Sequence, residues 1–328
     1  MDYKLSVIFI TYNHRDYVER ALRSVLAQET DFPFEVVVGD DCSTDGTQDI
    51  LKDIAKDHPN VRLFLRSENT GARPTLNVYE TTERCTGEYL AYLEGDDYWT
   101  DTHKLQKQVD LLEEHREYIA CTHSIKMVDA GSSDITDPAT LSVGGLYEWS
   151  GVYTYRDYCY SEKWPGHHST LVSRNIYTDE KYDYTILYRA SDFADDAVIN
   201  LFLLMQGDIF RMDDKMSAWR YIQKAGGGNW NSIKLARDVG RDDCILSKTM
   251  MQWIEQYRPL SDYSRKRCLD DFGLALKRFL TKPCRSNRQF LDEMYEYGIT
   301  HVVMADRKTS LFGFAVKYIM FKAGIANL

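Results

Sequence analysis

The chain opens with short apolar runs that alternate with amphipathic segments. The runs at 5–10, 34–39, 61–65 and 89–93 are rich in aliphatic, β-branched or aromatic residues, as is typical of buried strands. Between the first two, apolar residues recur at the helical spacing 18, 21, 22, 25 and 26. Strands separated by helix-length segments predict an α/β fold with a mostly parallel central sheet.

This order weakens after residue 124. The stretch 129–150, rich in Gly, Ser, Thr and Asp, is interpreted as a loop or lid, and residues 192–206 carry a helical pattern. From about residue 232 onward the pattern is helical. The Gly226-Gly227-Gly228 run marks the natural boundary, so we expect a first domain over 1–225 and a helical C-terminal region over 226–328.

Composition narrows the class of protein. The 328 residues carry 50 Asp and Glu against 40 Lys and Arg, and this acidic balance argues against a nucleic-acid binder. Seven scattered cysteines without CxxC spacing indicate a reducing compartment. Neither a signal peptide nor a charge-free apolar run of membrane-spanning length is apparent, so a cytoplasmic protein is expected.

Polar clusters follow three of the predicted strands. They are Thr11-Tyr12-Asn13, Asp40-Asp41 and Glu94-Gly95-Asp96-Asp97. In an open parallel sheet, ligands bind outside the carboxyl ends of the strands. Three carboxylates within four residues repel one another, and a divalent cation such as Mg²⁺ or Mn²⁺ removes the conflict. Taken alone, the acids could equally form a solvated turn that caps the next helix.

These clusters carry a resemblance to a known family. Residues 6–13, 37–47, 69–71 and 87–97 closely resemble, in order and spacing, the N-terminal half of family 2 glycosyltransferases. The resemblance covers roughly residues 4–225. It implies a GT-A fold, a nucleotide-diphospho-sugar-binding α/β sheet with a DxD-type metal motif.

The resemblance also implies roles for residues at the strand ends. Asp96 and Asp97 match the metal-binding positions, with either Asp97 or Asp96 as the direct metal ligand and Asp96 also as a ribose contact. Glu94 stands where the family more often has Asp, which leaves a direct ligand role for Glu94 open, and Cys42 stands where Gly is common. The implied nucleotide-binding residues are Thr11, Tyr12, Asn13, Asp41, Asp96 and Arg220.

A second match lies at residues 195–209, which resemble the family's acidic dipeptide opening a helix. In that pattern the second acid, Asp196, is the catalytic base. An acid at a helix N-terminus is stabilised as the anion by backbone N–H groups and can accept a proton from a sugar hydroxyl. Residues 216–220 also resemble the family, where Arg220 would face the diphosphate. A histidine that often follows is replaced here by Tyr221-Ile222-Gln223.

Acceptor binding is assigned to Trp99, His167 and His168. Flat aromatic rings suit sugar faces, and imidazoles can hydrogen-bond hydroxyls. Adjacent histidines in a strand point to opposite faces, so we expect no metal pair between the two. Packing in the interior is the alternative for these side chains.

The final segment, 311–328, is apolar on most sides and contains Lys317 and Lys322. It could lie on a membrane surface, with the lysines reaching the headgroups. It could equally pack on its own domain or on a second copy in a homo-oligomer.

The resemblance implies an inverting, metal-dependent glycosyltransferase that uses Mn²⁺ or Mg²⁺. It would move a sugar from a nucleotide-diphosphate donor, a UDP-sugar by preference, to a glycan or lipid-linked acceptor in bacterial surface-polysaccharide synthesis. A nucleotidyltransferase or a Rossmann dehydrogenase would need a glycine-rich loop after the first strand, and residues 11–14 contain no glycine. A catalytically inactive sugar-nucleotide or glycan-binding scaffold remains the alternative.

Overall fold

The computed structural model describes residues 2–71, 73–143, 149–160, 164–177, 181–192, 196–222, 237–259, 262–301 and 310–323. The chain divides into two compact units, residues 1–237 and 238–328. The Gly226–Gly228 run, at which the sequence places the domain boundary, lies outside the described residues.

Alternating strands and helices build the first half of unit one, which confirms the predicted α/β class. Each predicted strand forms, and the helix between the first two buries Val18, Ala21, Leu22 and Val25. The elements are β1 (Leu5–Thr11), α1 (Val18–Leu26), β2 (Phe34–Asp40), α2 (Thr47–Ala55), β3 (Val61–Leu65), α3 (Pro74–Thr82) and β4 (Tyr89–Glu94).

The second half of this unit adds two long strands among shorter elements. Part of the segment 129–150 is helical, so the loop prediction is wrong for residues 138–143. The elements are β5 (Tyr98–Trp99), α4 (Lys104–Glu114), β6 (Tyr118–Val128), α5 (Pro138–Val143), β7 (Gly151–Tyr153), α6 (Tyr155–Tyr160), a 3-10 turn (His168–Thr170), β8 (Val172–Arg174), α7 (Ile186–Arg189), α8 (Asp196–Leu204) and β9 (Asp208–Arg220).

The described strands form one sheet in the order β3-β2-β1-β4-β8-β6-β9-β5, with β7 paired to β9. Strands β1 to β4 are mutually parallel, whereas β8 runs antiparallel to both of its neighbours. The register sets Thr11 beside Asp40 and Ile10 beside Glu94. The carboxyl ends of β1, β2 and β4 therefore meet at one edge of the sheet, which we call the carboxyl edge.

Glu35 is a charged residue in the interior of this sheet, with none of its surface exposed. Its carboxylate accepts hydrogen bonds from Ser6 Oγ (2.7 Å), from the backbone and hydroxyl of Thr86 (2.9 and 2.7 Å) and from Arg62 Nη1 (2.7 Å). Burial raises the pKa of Glu35, but these donors outweigh burial and lower it below its ordinary value of 4.5. The ionised carboxylate thus ties β1, β2 and β3 to the segment before β4.

Because the folded pKa of Glu35 is depressed, its charge stabilises the fold above the unfolded pKa and loses this effect as the pH falls through the folded pKa. We expect Glu35→Gln to lower the free energy of unfolding by about 1–3 kcal/mol at pH 7 and by progressively less below the ordinary value of 4.5. Urea denaturation at pH 7 and at a pH below 4.5 measures the loss of unfolding free energy under each condition. Glu19→Gln, which alters an exposed pair with Arg23, is the control and should cost less than about 0.5 kcal/mol. Equal costs in the two variants would contradict the account.

Unit two is helical, which confirms the expected C-terminal helical extension. Its described helices are α9 (Val239–Ile254), α10 (Asp262–Thr281), α11 (Arg285–His301) and α12 (Leu311–Lys322). The Phe272 ring of α10 packs edge-on against Phe314 of α12, with ring centroids 4.6 Å apart. Across the part of the chain that the structure describes, no helix has the length and hydropathy needed to cross a membrane.

Candidate active site

Backbone hydrogen bonds join the loops at the carboxyl edge. The Gly95 N–H donates to the Ile10 carbonyl at 2.7 Å, and the Asp41 N–H donates to the Thr11 carbonyl at 3.0 Å. Glycine is needed at position 95, since a Cβ there would lie 2.7 Å from Thr11 Oγ1 and 2.9 Å from His14 Nδ1. The three polar clusters predicted from the sequence are therefore neighbours in the fold.

Asp41 anchors the loop after β2. Its carboxylate accepts hydrogen bonds from Asn69 Nδ2 (2.9 Å), from the Thr70 hydroxyl (2.7 Å) and from the Thr70 N–H (2.9 Å), and Arg66 Nε lies 3.5 Å away. The residue is 5% exposed, and burial raises its pKa. The Asn69-Thr70-Gly71 motif is thus the partner of Asp41.

Asn13 connects the loop after β1 to the same segment. It adopts a left-handed φ of 55°, donates its N–H to Ser43 Oγ (2.8 Å) and accepts the Thr44 N–H at Oδ1 (2.9 Å). The two preceding residues differ in exposure. Thr11 is 1% exposed, whereas Tyr12 is 38% exposed. Tyr12 therefore offers an open aromatic ring at the carboxyl edge.

Cys42 also has a left-handed backbone, with φ at 64°. This explains why glycine suits the position, since a side chain there crowds the following carbonyl. We expect Cys42→Gly to keep the free energy of unfolding within about 1 kcal/mol, whereas the β-branched Cys42→Val lowers it by about 2 kcal/mol. Denaturant titration of both variants measures the difference, and a valine variant as stable as the glycine variant would contradict it.

Each of the three acids at the end of β4 and directly after it faces a different histidine. His168 Nδ1 lies 3.1 Å from Glu94 Oε1, His14 Nε2 lies 3.9 Å from Asp96 Oδ2, and His167 Nδ1 lies 3.8 Å from Asp97 Oδ2. His168 also stacks on Tyr92, with ring centroids 4.3 Å apart. Residues 94–97, which we call the acid loop, therefore lie among imidazoles contributed by two distant segments of the chain.

The surroundings of Glu94 and Asp97 shift the pKa values of these two carboxylates in opposite directions. Burial, reinforced by repulsion from Asp96 and Glu94, raises the pKa of Asp97 well above its ordinary value. Burial also acts to raise the pKa of Glu94, but the hydrogen bond from His168 and the attraction of both nearby histidines outweigh it and lower that pKa to about 2. Asp97 is therefore the carboxylate that an added positive charge would stabilise most.

Arg220, at the end of β9, fixes the acid loop. Its N–H donates to Asp97 Oδ1 (2.8 Å) and its Nε donates to the Asp96 carbonyl (2.8 Å). Nη1 donates to the carbonyls of Asp129 and Ala130, both at 2.9 Å. Arg220 is only 2% exposed, so the structure shows it bracing the loop, and its contact with a diphosphate stays a prediction.

The carboxyl edge contains buried polar atoms that lack hydrogen-bond partners among the described residues. They are Glu94 Oε2, Thr11 Oγ1 and His14 Nδ1. Ligand atoms of Glu94, Asp97 and His167 lie within 4.8 Å of one another. An unpartnered carboxylate oxygen beside a second, mutually repelling carboxylate is a donor set that fits a divalent cation.

The predicted metal pair is Asp96 and Asp97, whereas the structure groups Asp97 with Glu94 and His167. Sequence reasoning placed His167 and His168 on opposite faces of a strand. No strand forms there, because a 3-10 turn begins at His168, and the two imidazoles reach different acids at the same edge. The expectation that the two form no metal pair with each other is not contradicted, since the grouped ligand atoms include His167 but not His168 among the described residues. His14 was missed, since nothing in a lone histidine after a strand indicates a partner at position 96.

Trp99, which the sequence assigns to acceptor binding, is buried in the structure. Trp99 is 4% exposed, and its indole N–H donates to the Ser169 carbonyl at 3.0 Å, so it packs in the interior beneath the acid loop. This burial runs against the predicted stacking on an acceptor sugar.

Asp196 begins helix α8 and accepts the Ala197 N–H at 2.7 Å, as the sequence predicts for an acid at a helix N-terminus.

Comparison with known proteins shows the family of this chain. Residues 6–179 match glycosyl transferase family 2, so the chain belongs to that family.

Two bacterial relatives illustrate the similarity. An uncharacterised protein of Mycobacterium tuberculosis is 40% identical over 136 residues, which are 41% of this chain and 39% of that protein. TuaG of Bacillus subtilis, a putative teichuronic acid biosynthesis glycosyltransferase, is 41% identical over 110 residues, 34% of this chain and 42% of TuaG. The chain thus matches about two-fifths of the length of these relatives.

A solved structure extends the comparison to nearly the whole chain. TarS of S. aureus, residues 1–349 in complex with UDP-GlcNAc, superposes with a TM-score of 0.63 at 18% identity, covering 98% of this chain and 92% of that one. At this identity the likeness shows the fold alone, and it confirms the predicted GT-A class.

Proposed function

We propose that the protein is an inverting, metal-dependent glycosyltransferase acting in bacterial polysaccharide synthesis. It moves a hexosyl or N-acetylhexosaminyl group from a nucleotide-diphosphate donor to a hydroxyl of a glycan or lipid-linked acceptor. The observation that carries the proposal is the acid loop at the carboxyl edge, with a buried oxygen of Glu94 left without a partner. Membership of family 2 and the similarity to TuaG support it. UDP-GlcNAc bound to TarS, which shares the fold, supports a UDP-sugar donor.

The donor nucleotide is assigned to the loops after β1 and β2. The half-exposed Tyr12 ring can pack against a base. Asn13 joins these two loops, and Asp41 ties the second of them to Thr70, after β3. The unpartnered hydroxyl of Thr11 lies beside Gly95, at the junction of nucleotide and acid loop.

The acid loop is assigned to the metal. Asp96 and Asp97, together with Glu94, would hold Mn²⁺ or Mg²⁺, and Arg220 keeps the loop backbone in place. When bound, such a cation neutralises charge on the departing diphosphate.

Asp196 is assigned as the general base. It accepts the proton of the acceptor hydroxyl as the acceptor oxygen bonds to the anomeric carbon. The bond from that carbon to the diphosphate oxygen breaks on the opposite side, so one displacement inverts the anomeric centre. The N-terminus of α8 favours the ionised carboxylate that this role needs.

Thermal unfolding with UDP, GDP, CDP or TDP, each with Mn²⁺ or EDTA, tests this proposal. A nucleotide present at about 100 times its dissociation constant should stabilise the fold by roughly 2.7 kcal/mol. We expect one nucleotide to shift the melting temperature and to need the metal. If none does so under any condition, the donor-site assignment is wrong and an inactive scaffold becomes the better account.

Helix α12 carries a separate proposal, that the protein touches the inner face of the membrane peripherally. Phe314 packs inward at 2% exposed, whereas Phe312, Val316, Ile319 and Met320 form an exposed stripe at 80%, 39%, 53% and 37%. Their spacing places them on one face of the helix. The exposed Lys317 lies on the flank of this stripe, where it can reach anionic headgroups.

We expect the double variant Phe312→Ser, Ile319→Ser to lower binding to vesicles of anionic lipid by about tenfold or more, because both side chains would lose burial in the acyl region. Vesicle flotation measures this. Leu280→Ser, which removes an apolar side chain 67% exposed on α10, is the matched control and should change little. If the double variant floats like the wild type, or instead loses a dimer seen by light scattering, the lipid assignment is wrong.

A further inference from the structure

His167 lies against the acid loop from a segment far along the chain. It immediately precedes the 3-10 turn, and its side chain is 19% exposed. Its Nδ1 is 3.8 Å from Asp97 Oδ2, and its ligand atom lies within 4.8 Å of those of Glu94 and Asp97. Two ligands about 2.1 Å from one ion are at most about 4.2 Å apart. The measured spacing therefore needs only a small closure to enclose one ion.

The His167 ring is already positioned without a ligand. It packs against Trp219, with ring centroids 5.1 Å apart and planes at 30°. Its Nδ1 lies 3.0 Å from the Ser169 hydroxyl and accepts a long hydrogen bond of 3.3 Å from the Ser169 N–H. A metal at this nitrogen would replace the two Ser169 contacts, while the packing on Trp219 would keep the ring in place.

The other basic side chains near the acid loop contact groups other than the Asp97 carboxylate. Within the described part of the chain, His168 faces Glu94 and His14 faces Asp96. The Arg220 guanidinium donates to backbone carbonyls and to the Ser132 hydroxyl, so the hydrogen bond that Asp97 accepts from Arg220 comes from the backbone N–H. An imidazole in its neutral form offers a nitrogen lone pair to a cation. The pair Asp97–His167 is therefore better completed by a cation than by a hydrogen bond at 3.8 Å.

We propose that His167 is a further protein ligand of the divalent cation at the acid loop, beside Glu94 and Asp97, and that its nitrogen makes the centre select Mn²⁺ over Mg²⁺. This inference rests on the proposed function. Mg²⁺ prefers oxygen ligands and retained water, whereas first-row transition ions accept imidazole, with affinity rising from Mn²⁺ toward Cu²⁺. An all-oxygen loop would not discriminate in this way.

The test is a Mn²⁺ titration of the full-length protein followed by electron paramagnetic resonance, with Mg²⁺ as competitor. We expect the Mn²⁺ affinity to fall at least about tenfold in His167→Ala and the Mg²⁺ affinity to change far less. Spin-echo modulation from a directly bonded nitrogen should be present in the wild type and absent in the variant. His115→Ala, which removes a half-exposed histidine paired with Glu117, is the matched control. The unfolding midpoint of each variant shows whether it folds.

The outcomes separate this inference from the proposed function. Unchanged Mn²⁺ and Mg²⁺ affinities in His167→Ala, or a wild-type spectrum without nitrogen modulation, would overturn the role of His167 and leave the transferase standing. A wild-type protein that takes up no Mn²⁺ would overturn both the role of His167 and the metal dependence. If His167→Ala fails to fold, the spectrum of the unmodified chain still tests the inference, because the absence of nitrogen modulation there would overturn it.

Discussion

Replacing Asp196 with asparagine is expected to slow sugar transfer by about 10²–10⁴-fold, because asparagine cannot accept the acceptor's proton. The substitution keeps the size of the side chain and an oxygen for the Ala197 N–H. Nucleotide binding should therefore stay within about threefold of the wild type, and the loss should appear in the rate of the bound complex.

Asp192→Asn is the matched control for this prediction. Asp192 lies four residues earlier, is half exposed and pairs with Arg73 at 3.2 Å. We expect it to transfer sugar at nearly the wild-type rate. An Asp196→Asn protein that keeps full activity in the presence of Mn²⁺ would remove Asp196 from the mechanism.

Replacing Asp97 with asparagine should have a double effect. Metal binding should weaken by at least about 100-fold, and transfer should fall with it, because a charged ligand is lost from a buried centre. At the same time the metal-free protein should become more stable. The pKa of Asp97 is raised in the fold, so its ionisation costs the folded state free energy above the unfolded pKa, and asparagine removes that cost.

The direction of this change, a gain in stability, follows from the direction of the pKa shift. Asn Oδ1 can still accept the Arg220 N–H, so that buried donor keeps its partner. Urea denaturation in EDTA measures the stability, and Mn²⁺ titration measures the binding. Asp110→Asn, on the exposed face of α4, is the control for a lost surface charge. An Asp97→Asn protein that is less stable without metal and binds Mn²⁺ normally would contradict both effects.

The parallel half of the sheet could be predicted because its signals are local. Strands β1 to β4 are short runs dominated by apolar residues, and β1, β2 and β4 end in the polar residues that form the carboxyl edge. Strand β6 (Tyr118–Val128) was not predicted, since it buries Thr122, His123 and Ser124 in place of an apolar run. Those polar groups are buried because partners from other strands satisfy them, as Arg211 does for the Ser124 hydroxyl at 3.2 Å.

The acids of the site could be predicted, but most of their partners could not. Glu94, Asp96 and Asp97 stand together in the sequence, whereas His14 and His167 reach them only through strand pairing. Arg220 could be found from its motif, yet its bonds to the carbonyls of Asp96, Asp129 and Ala130 depend on how β9 lies in the sheet. The spacing of residues along the chain encodes neither the histidine contacts nor the Arg220 bonds.

The most direct test of the central claim is the release of nucleoside diphosphate from a panel of sugar nucleotides. The full chain would be incubated with each UDP-, GDP-, CDP- or TDP-sugar and Mn²⁺, with and without a bacterial glycolipid extract as acceptor, and compared with Asp97→Asn. The account predicts that one sugar nucleotide is consumed, that the acceptor accelerates the release, and that EDTA or Asp97→Asn abolishes it. Release from none of the donors, or equal release by Asp97→Asn, would contradict a metal-dependent transferase at the carboxyl edge.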